Sequence, residues 1–375
     1  MVAVINRNPL KRADNKAVVG LTRLPDFPVY MTFLMPKLYI QEYKNVLGGT
    51  RILIACRESI LRENIKHVLS DIKFMDRLGV QTILLHDLAN RFSNRKYFIF
   101  LQQKLPNTKI CRIPVETGED FYDYALNFKT GVDKIVFVER KYLTDEKGRK
   151  LNALTTKNAL RLIREKKIVA YGDLIANTNF KAIIEKICNK IEDKQIDRIH
   201  IVPARKHCIK HELFSLEGTG TLIANNFSET LERVDSERQV RMVEDILKPY
   251  VSKGLIKPRS REHISISRQN FFMAKIDGIP VGCVEKINLT NNTVELGALA
   301  VATRYRDHQV GLFLIRSFVE MVKKEGYRRV ISLTKNPKLK NIYLSVGFEE
   351  KAPDDLRDRW AESPGIPMFV CLFQG

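Results

Sequence analysis

Four stretches of this chain are apolar almost from end to end: "RILIAC", "VQTILLHD", "VDKIVFVE" and "DRIHIVPA". A run with no polar alternation suits a strand covered on both faces. Between these runs the apolar residues recur at helical spacing. "RENIKHVLSDIKFMDRLG" predicts a helix ending at Gly79, "TKNALRLIREKK" one capped by Thr156, and "NFKAIIEKICNKIEDKQI" a third. Strands and helices in alternation predict an α/β layer with a mostly parallel sheet. "KYFIFLQQKL" suits either element, "RKYLTDEKGRKL" reads as a hairpin-like turn around Gly148, and "LPDFP" breaks any regular element before it.

The pattern changes near Asn226–Glu229. "SERQVRMVEDILKPYVSKG" predicts a helix capped by Ser236 and stopped by Gly254. Three strands follow, joined by turns at Asp277-Gly278 and Asn291-Asn292. Then come the turn "RYRDHQVG", a helix to about Gly326, the strand "RRVISLT", the short helix "KLKNIYLSVG" and the strand "IPMFVCLF". This second half is α+β. The expected division is an irregular segment 1–35, an α/β domain 36–228 and an α+β domain 229–375.

A chain of 375 residues is long enough for two cores, and a 44% hydrophobic content with a mean hydropathy of -0.21 is that of a soluble globular protein. No apolar run reaches bilayer length, so no membrane is expected. The start, "MVAVINRNPLKRADNKAVVG", is basic but lacks the apolar core of a secretory signal. It reads as a cytoplasmic N-terminus, or as an organellar presequence leading to the mitochondrial matrix in a eukaryote. The net charge of +20 attracts nucleic acid, acidic membranes or small phosphorylated ligands. It is spread along the chain without an arginine-rich block, which argues against a nucleic-acid partner. The six cysteines include no Cys-x-x-Cys pair and sit mainly in apolar runs, as buried free thiols of a reducing compartment do. "HCIKH" places His207, Cys208 and His211 together, yet no other Cys or His lies near in sequence, so no metal is expected.

The turn "RYRDHQVG" follows a strand ending in "LAV" and opens a helix, whose unpaired first-turn amides and positive dipole end favour phosphate. Beginning 25 residues after the turn's Gly311 comes "NPKLKNIYLSVGF", with Asn336, Tyr343, Gly347 and Phe348 in the spacing N-x6-Y-x3-GF. Meander, turn, helix, strand and this motif together resemble the GNAT acetyltransferase fold. The resemblance implies acetyl-CoA as co-substrate, its pyrophosphate held by the amides of His308, Gln309, Val310 and Gly311. Arg306 and Gly311 match the family's Arg/Gln-x-x-Gly-x-Gly/Ala loop, while Gln309 replaces its middle glycine. A side chain at 309 must either point outward or force a negative φ. Asn336 belongs to the cofactor-contacting helix, and Tyr343 is the candidate acid for the departing thiolate. In "TVELGALAV", strand alternation puts residues 295, 297, 299 and 301 on one face. The resemblance sets the acetyl group beside Leu299 and Val301, with Glu295 as the base for the incoming ammonium. A solvated edge-strand carboxylate and an ordinary packed tyrosine stand as alternatives for Glu295 and Tyr343.

Over the whole chain, "ELFSLEGTGTLI" and "ILKPYVSKGLIKPRSREHI" are similar to the "ELFT-(R)DG-x-GT" and "PL-x-x-x-G-x-L-x-x-RS" segments of the N-acetylglutamate synthases. The resemblance implies an amino-acid-kinase-like parallel-sheet domain followed by a GNAT domain that acetylates glutamate in arginine biosynthesis. It also implies an amino-acid substrate, arginine as a candidate allosteric ligand, and a homo-oligomer assembled through the first domain. Arg259 matches a substrate-side arginine of the family, and Lys257 can assist it with a carboxylate. There are departures. The kinase fold's Gly-rich phosphate turns are "ACRES" and "HDLAN" here, with Asp87 where a phosphate would approach, so the first half is expected not to transfer phosphoryl groups. The family's terminal "Arg-x-Ser-Lys" strand is absent from "WAESPGIPMFVCLFQG". Acetylation of another amine or protein, and a non-catalytic sensor of acetyl-CoA or arginine, are the rival readings.

Overall fold

The computed structural model of the chain describes residues 38–88, 102–113, 120–128, 131–169, 180–227, 230–276 and 278–373. The expectations for residues 1–35, for most of "KYFIFLQQKL" and for the Asp277 turn lie outside these.

The first half begins with α1 (Ile40–Leu47), β1 (Arg51–Cys56), α2 (Glu58–Arg77), β2 (Gln81–His86) and β3 (Thr108–Arg112). It continues with α3 (Phe121–Leu126), β4 (Lys134–Glu139), β5 (Thr144–Asp145), β6 (Ala153–Thr155) and α4 (Thr156–Arg164). β7 (Ile168–Val169), α5 (Phe180–Glu192), β8 (Arg198–Pro203), α6 (Cys208–Phe214) and β9 (Thr221–Ala224) complete it. Seven of its described strands form a sheet ordered β3-β2-β1-β4-β8-β9-β6, parallel from β3 through β8, and β5 pairs with β7 in a separate antiparallel ribbon. Alternate residues of β1 enter separate cores. Leu53 and Ala55 pack with residues of α3, α4 and α5, whereas Ile52 and Ile54 pack with α2 and α6. Two buried faces explain the unbroken apolar runs. The cap of α4 is one residue earlier than expected: Thr155, with extended φ/ψ, accepts from the Asn158 amide, and Thr156 is the first helical residue. A cap must lie outside the helix for its oxygen to reach the first turn.

The N-terminus of α2 is closed by the chain itself. Asp87 accepts from the Glu58 amide and from Arg57 Nε at 3.4 Å. A carboxylate therefore occupies a helix end that favours phosphate.

The second half comprises β10 (Thr230–Arg233), α7 (Glu237–Val251), α8 (Arg261–Ile266), β11 (Phe271–Ile276), β12 (Ile279–Asn288) and β13 (Thr293–Val301). α9 (Val310–Lys324), β14 (Arg329–Leu333), α10 (Pro337–Val346), β15 (Glu349–Glu350), α11 (Arg357–Ala361) and β16 (Met368–Leu372) follow. The described strands form the sheet β10-β11-β12-β13-β14-β16-β15. Ser236 caps α7 as expected, accepting from the Gln239 amide. Apolar packing runs on between the halves, because Leu222, Ala224 and Phe227 belong to the same core cluster as Tyr305, Val310 and Leu314.

One expectation for β13 fails. Ala300 lies opposite Cys283 and Gly297 opposite Glu285, so β13 carries one residue more than β12 between these pairs. Ala298 takes φ 45° at this bulge. An extra residue inverts the alternation beyond it. Glu295 faces as Glu285 does, toward Arg259 and His263 beside α8. Val301 pairs with Gly282, whose missing side chain leaves room for Leu314 and Val310 of α9 on the opposite face. Glu295 and Val301 do not share a face. Among the described residues no helix is long and apolar enough to cross a membrane.

Candidate functional site

β13 and β14 pair in parallel only from Thr293–Arg329 to Glu295–Ile331. Beyond Glu295 the two strands separate, and the freed end of β13 borders a cavity of about 450 Å³. Its walls are Leu299, Ala300 and Val301 of β13, the turn from Tyr305 to Gly311, and Asn336, Lys338, Leu339 and Ile342 around α10. Tyr250, Lys253 and Leu255, at the end of α7, close the remaining side.

The turn is built by left-handed residues. Asp307 and Gln309 take φ 65° and 64°. Gln309 is the N-cap of α9 yet makes no side-chain cap, and it is exposed. Of the two options open to this residue, it points outward and keeps a positive φ, at a cost of about 1 kcal/mol. With no cap, the first-turn amides of α9 have no intrahelical acceptor. A Cβ on Gly311 would meet only Val301 Cγ2, at 4.0 Å, so the protein leaves the space before this amide open. Arg306, Lys253 and Lys338 bring cations to the same wall. Uncapped amides, open space and a basic rim fit a pyrophosphate.

The structure brings Leu299, Val301, Arg306, Gln309, Gly311 and Asn336 to this cavity. Val310 is buried in the core, and His308 packs edge-on against Phe227 with ring centroids 4.9 Å apart. Burial, and Arg304 behind it, hold His308 below the usual imidazole range despite Asp307. Asn336 also caps α10, accepting from the Lys338 amide at 3.0 Å.

Sequence reasoning passed over Tyr250. Its hydroxyl donates to Val301 O at 2.8 Å and accepts from Val301 N at 3.1 Å and from Arg306 Nε at 3.2 Å. The Arg306 guanidinium lies 4.6 Å from the Tyr250 ring centroid. Tyr250 stands where the resembling pattern has leucine, and that departure was the available signal.

One face of the sheet holds two arginine–carboxylate pairs. Arg359 of α11 grips Glu295 with both ends of its fork, Nε to Oε2 at 2.6 Å and Nη2 to Oε1 at 2.7 Å. That contact also raises the Arg359 guanidinium above its ordinary range. Arg259 Nε donates to Glu285 Oε2 at 2.8 Å, and His263 Nε2 meets Glu285 Oε1 at 3.1 Å. Glu285 lies opposite Gly297 and Glu295 opposite Ile287, so the two carboxylates are diagonal neighbours on that face. Lys257 is exposed and reaches the Glu362 carbonyl at 3.4 Å. Arg359 escaped the sequence reading because "DLRDRWAESPG" has no periodicity and its partner is 64 residues away.

Tyr343 is 1% exposed, on the side of β13 opposite Glu295. Ser332 Oγ donates to Leu296 O at 2.9 Å, which spends its only proton. Tyr343 therefore donates across the 2.8 Å contact to Ser332 Oγ. Burial pushes the phenol above its ordinary range against the lowering hydrogen bond to Ser332, and Glu295 adds a smaller upward push.

Comparisons with known proteins agree with this geometry. Residues 240–348 match the Acetyltransferase (GNAT) family. An amino-acid acetyltransferase of Shewanella oneidensis is 28% identical over 229 residues, covering 58% of this chain and 50% of that protein. One from Haemophilus ducreyi is 26% identical over 271 residues, covering 68% of this chain and 60% of its own length. The chain thus spans about half the length of these curated relatives. A crystal structure of N-acetylglutamate synthase from Neisseria gonorrhoeae, complexed with coenzyme A and L-arginine, superposes with a TM-score of 0.53 at 15% identity. The superposition covers 90% of this chain and 98% of that one. Residues 240–348 are thus similar to the GNAT family, more than half of the chain is similar in sequence to amino-acid acetyltransferases, and its fold is similar to that of an N-acetylglutamate synthase.

Proposed function

We propose that the chain transfers acetyl from acetyl-CoA to the amino group of an amino acid, with L-glutamate as the leading acceptor, as a step toward arginine. The observation that carries this reading is the cavity where β13 leaves β14, floored by the uncapped turn before α9 and rimmed by Arg306, Lys253 and Lys338. The turn binds the pyrophosphate through the amides of His308 to Gly311. The bulge at Ala298 turns the amides near Leu299 toward the thioester carbonyl, where they stabilise the oxyanion.

Transfer is direct. Burial pushes the Cys283 thiol, opposite Ala300 on the neighbouring strand, well above the range in which thiols are nucleophilic. Glu295 takes the proton of the acceptor's ammonium. With Arg359 on both oxygens, each still has a free lone pair for an ammonium or a water. Arg359, next to Glu295, and Arg259 with Lys257 are the cations offered to the substrate carboxylate. Tyr343 serves the leaving sulfur by hydrogen bond. With its pKa raised above a thiol's roughly 8.5, full proton transfer would run uphill. To reach the sulfur the hydroxyl must turn away from Ser332.

The first half is read as non-catalytic, since Asp87 fills the helix end that a phosphate would use. L-arginine as effector and self-association through this half complete the proposal. The test is release of coenzyme A thiol from acetyl-CoA against a panel of amines. Saturable release with glutamate and formation of N-acetylglutamate support the reading; tight coenzyme A binding with no turnover on any amino acid refutes it.

A further inference from the structure

The turn that borders the cavity is gripped from behind by the first half. Arg304, two residues before the turn's arginine, is 3% exposed and sends its guanidinium into the first half, where Nη2 donates to Glu212 Oε1. Glu212, on α6, is 2% exposed. Its other oxygen accepts from the Thr219 and Gly220 amides, both at 2.7 Å, and Oε1 also meets His200 Nδ1 at 2.7 Å. Gly218 clears the path for the guanidinium: a Cβ there would fall 1.9 Å from Arg304 Nη1. Phe227, which follows β9, packs on Tyr305 and His308 with centroids 5.5 and 4.9 Å apart. Successive parts of one short segment are thus fixed to residues that belong to the other half.

Burying two charges is costly, and the pair is retained here against the floor of a ligand site. What a charge pair adds is direction, since the Arg304 guanidinium must reach Glu212 Oε1 along the path that Gly218 leaves open.

We propose that Glu212, through Arg304 and together with Phe227, is a positioning residue of the first half that sets the backbone of the 306–311 turn for the acyl donor. This gives the non-catalytic half a part in the reaction, and it rests on reading that turn as the pyrophosphate site. The prediction is a defect confined to the donor. Coenzyme A binding weakens, while acceptor affinity is untouched, because Arg259, Arg359 and Glu295 sit on other elements.

Glu212→Gln isolates the contact in the full chain. Its amide oxygen stays with the Thr219 and Gly220 amides, which turns the NH2 toward Arg304 and unpairs it. Calorimetry with coenzyme A should show about a tenfold weaker Kd, the size expected for coupling of this kind. The KM for acetyl-CoA should rise alike, and the KM for glutamate should stay unchanged. Glu212→Gln combined with Arg304→Met should lose no more affinity than either alone. Lys275→Met, which breaks the Lys275–Glu232 pair away from the turn, serves as the control for general destabilisation and should leave the coenzyme A Kd unchanged. Should Glu212→Gln fail to fold, Phe227→Leu carries the same prediction through the His308 contact. Unaltered protein that binds no coenzyme A refutes the site itself. A folded Glu212→Gln variant with the normal Kd, a loss that Lys275→Met reproduces, or fully additive losses in the double variant each overturn the coupling alone.

Discussion

Gly311→Ala separates a ligand-binding turn from an ordinary strand-to-helix connection. Gly311 is the second residue of α9, and its backbone lies outside the left-handed region that favours glycine. An added Cβ meets nothing nearer than Val301 Cγ2 at 4.0 Å. The folded protein therefore tolerates the methyl, and the helix gains up to about 1 kcal/mol from replacing glycine by alanine. The same methyl projects into the cavity, where it holds a phosphate away from the first-turn amides. Loss of one charge-assisted hydrogen bond costs about 1.5–3 kcal/mol, which is roughly a ten- to hundredfold loss of affinity. Thermal unfolding and calorimetric titration with coenzyme A, on the same two proteins, give both numbers. The expected result is an unchanged or slightly higher Tm with coenzyme A binding at least tenfold weaker. Unchanged affinity in the alanine variant would show that no phosphate approaches this amide and would refute the site.

Other outcomes follow from the same geometry. Glu295→Gln keeps the shape but removes the base, so kcat should fall by about 10²–10⁴ while the KM for acetyl-CoA holds, and stopped-time thiol release measures it. Arg359→Lys cannot make the two-pronged contact with Glu295, so the KM for glutamate should rise more than the KM for an acceptor amine without a carboxylate. Tyr343→Phe should slow transfer and Ser332→Ala, which releases the hydroxyl, should not; equal rates in Tyr343→Phe and the parent remove the phenol from the chemistry. Stability should fall with pH below about 6.5. Burial lowers His86 to about 4, and its Nδ1 accepts from the Leu88 amide, so the folded state keeps this ring neutral. The unfolded chain binds the proton first, the stability present above the unfolded pKa is lost as pH drops toward 4, and His86 alone removes about 1 kcal/mol by pH 5.5. Urea unfolding at pH 7.5 and 5.5, with His86→Gln as reference, reads this directly.

The strands of the first half were legible because both their faces are buried, as the separate packing of Leu53 and Ile54 makes concrete. The turn before α9 was legible from its place between a meander and the Asn336–Tyr343 helix. The bulge was not. Ala298 is no glycine, and an inserted residue leaves no local mark, so strict alternation put Glu295 on the wrong side relative to Val301. The partners of the candidate acids and bases were hidden for a different reason. Arg359 with Glu295, Tyr250 with Val301 and Arg304 with Glu212 are contacts across 64, 51 and 92 residues, and no periodicity carries them. The Thr155 cap was missed by one position because two threonines stand together.

The central claim is that acetyl passes from acetyl-CoA to an amino acid in the second half. Incubating the full chain with acetyl-CoA and isotopically labelled glutamate, then identifying the product by mass, tests it most directly. The account predicts N-acetylglutamate in equal amount to the thiol released, and neither in Glu295→Gln at comparable rate. Thiol released without an N-acetylated amino acid, or no thiol released while coenzyme A binds tightly, would contradict it.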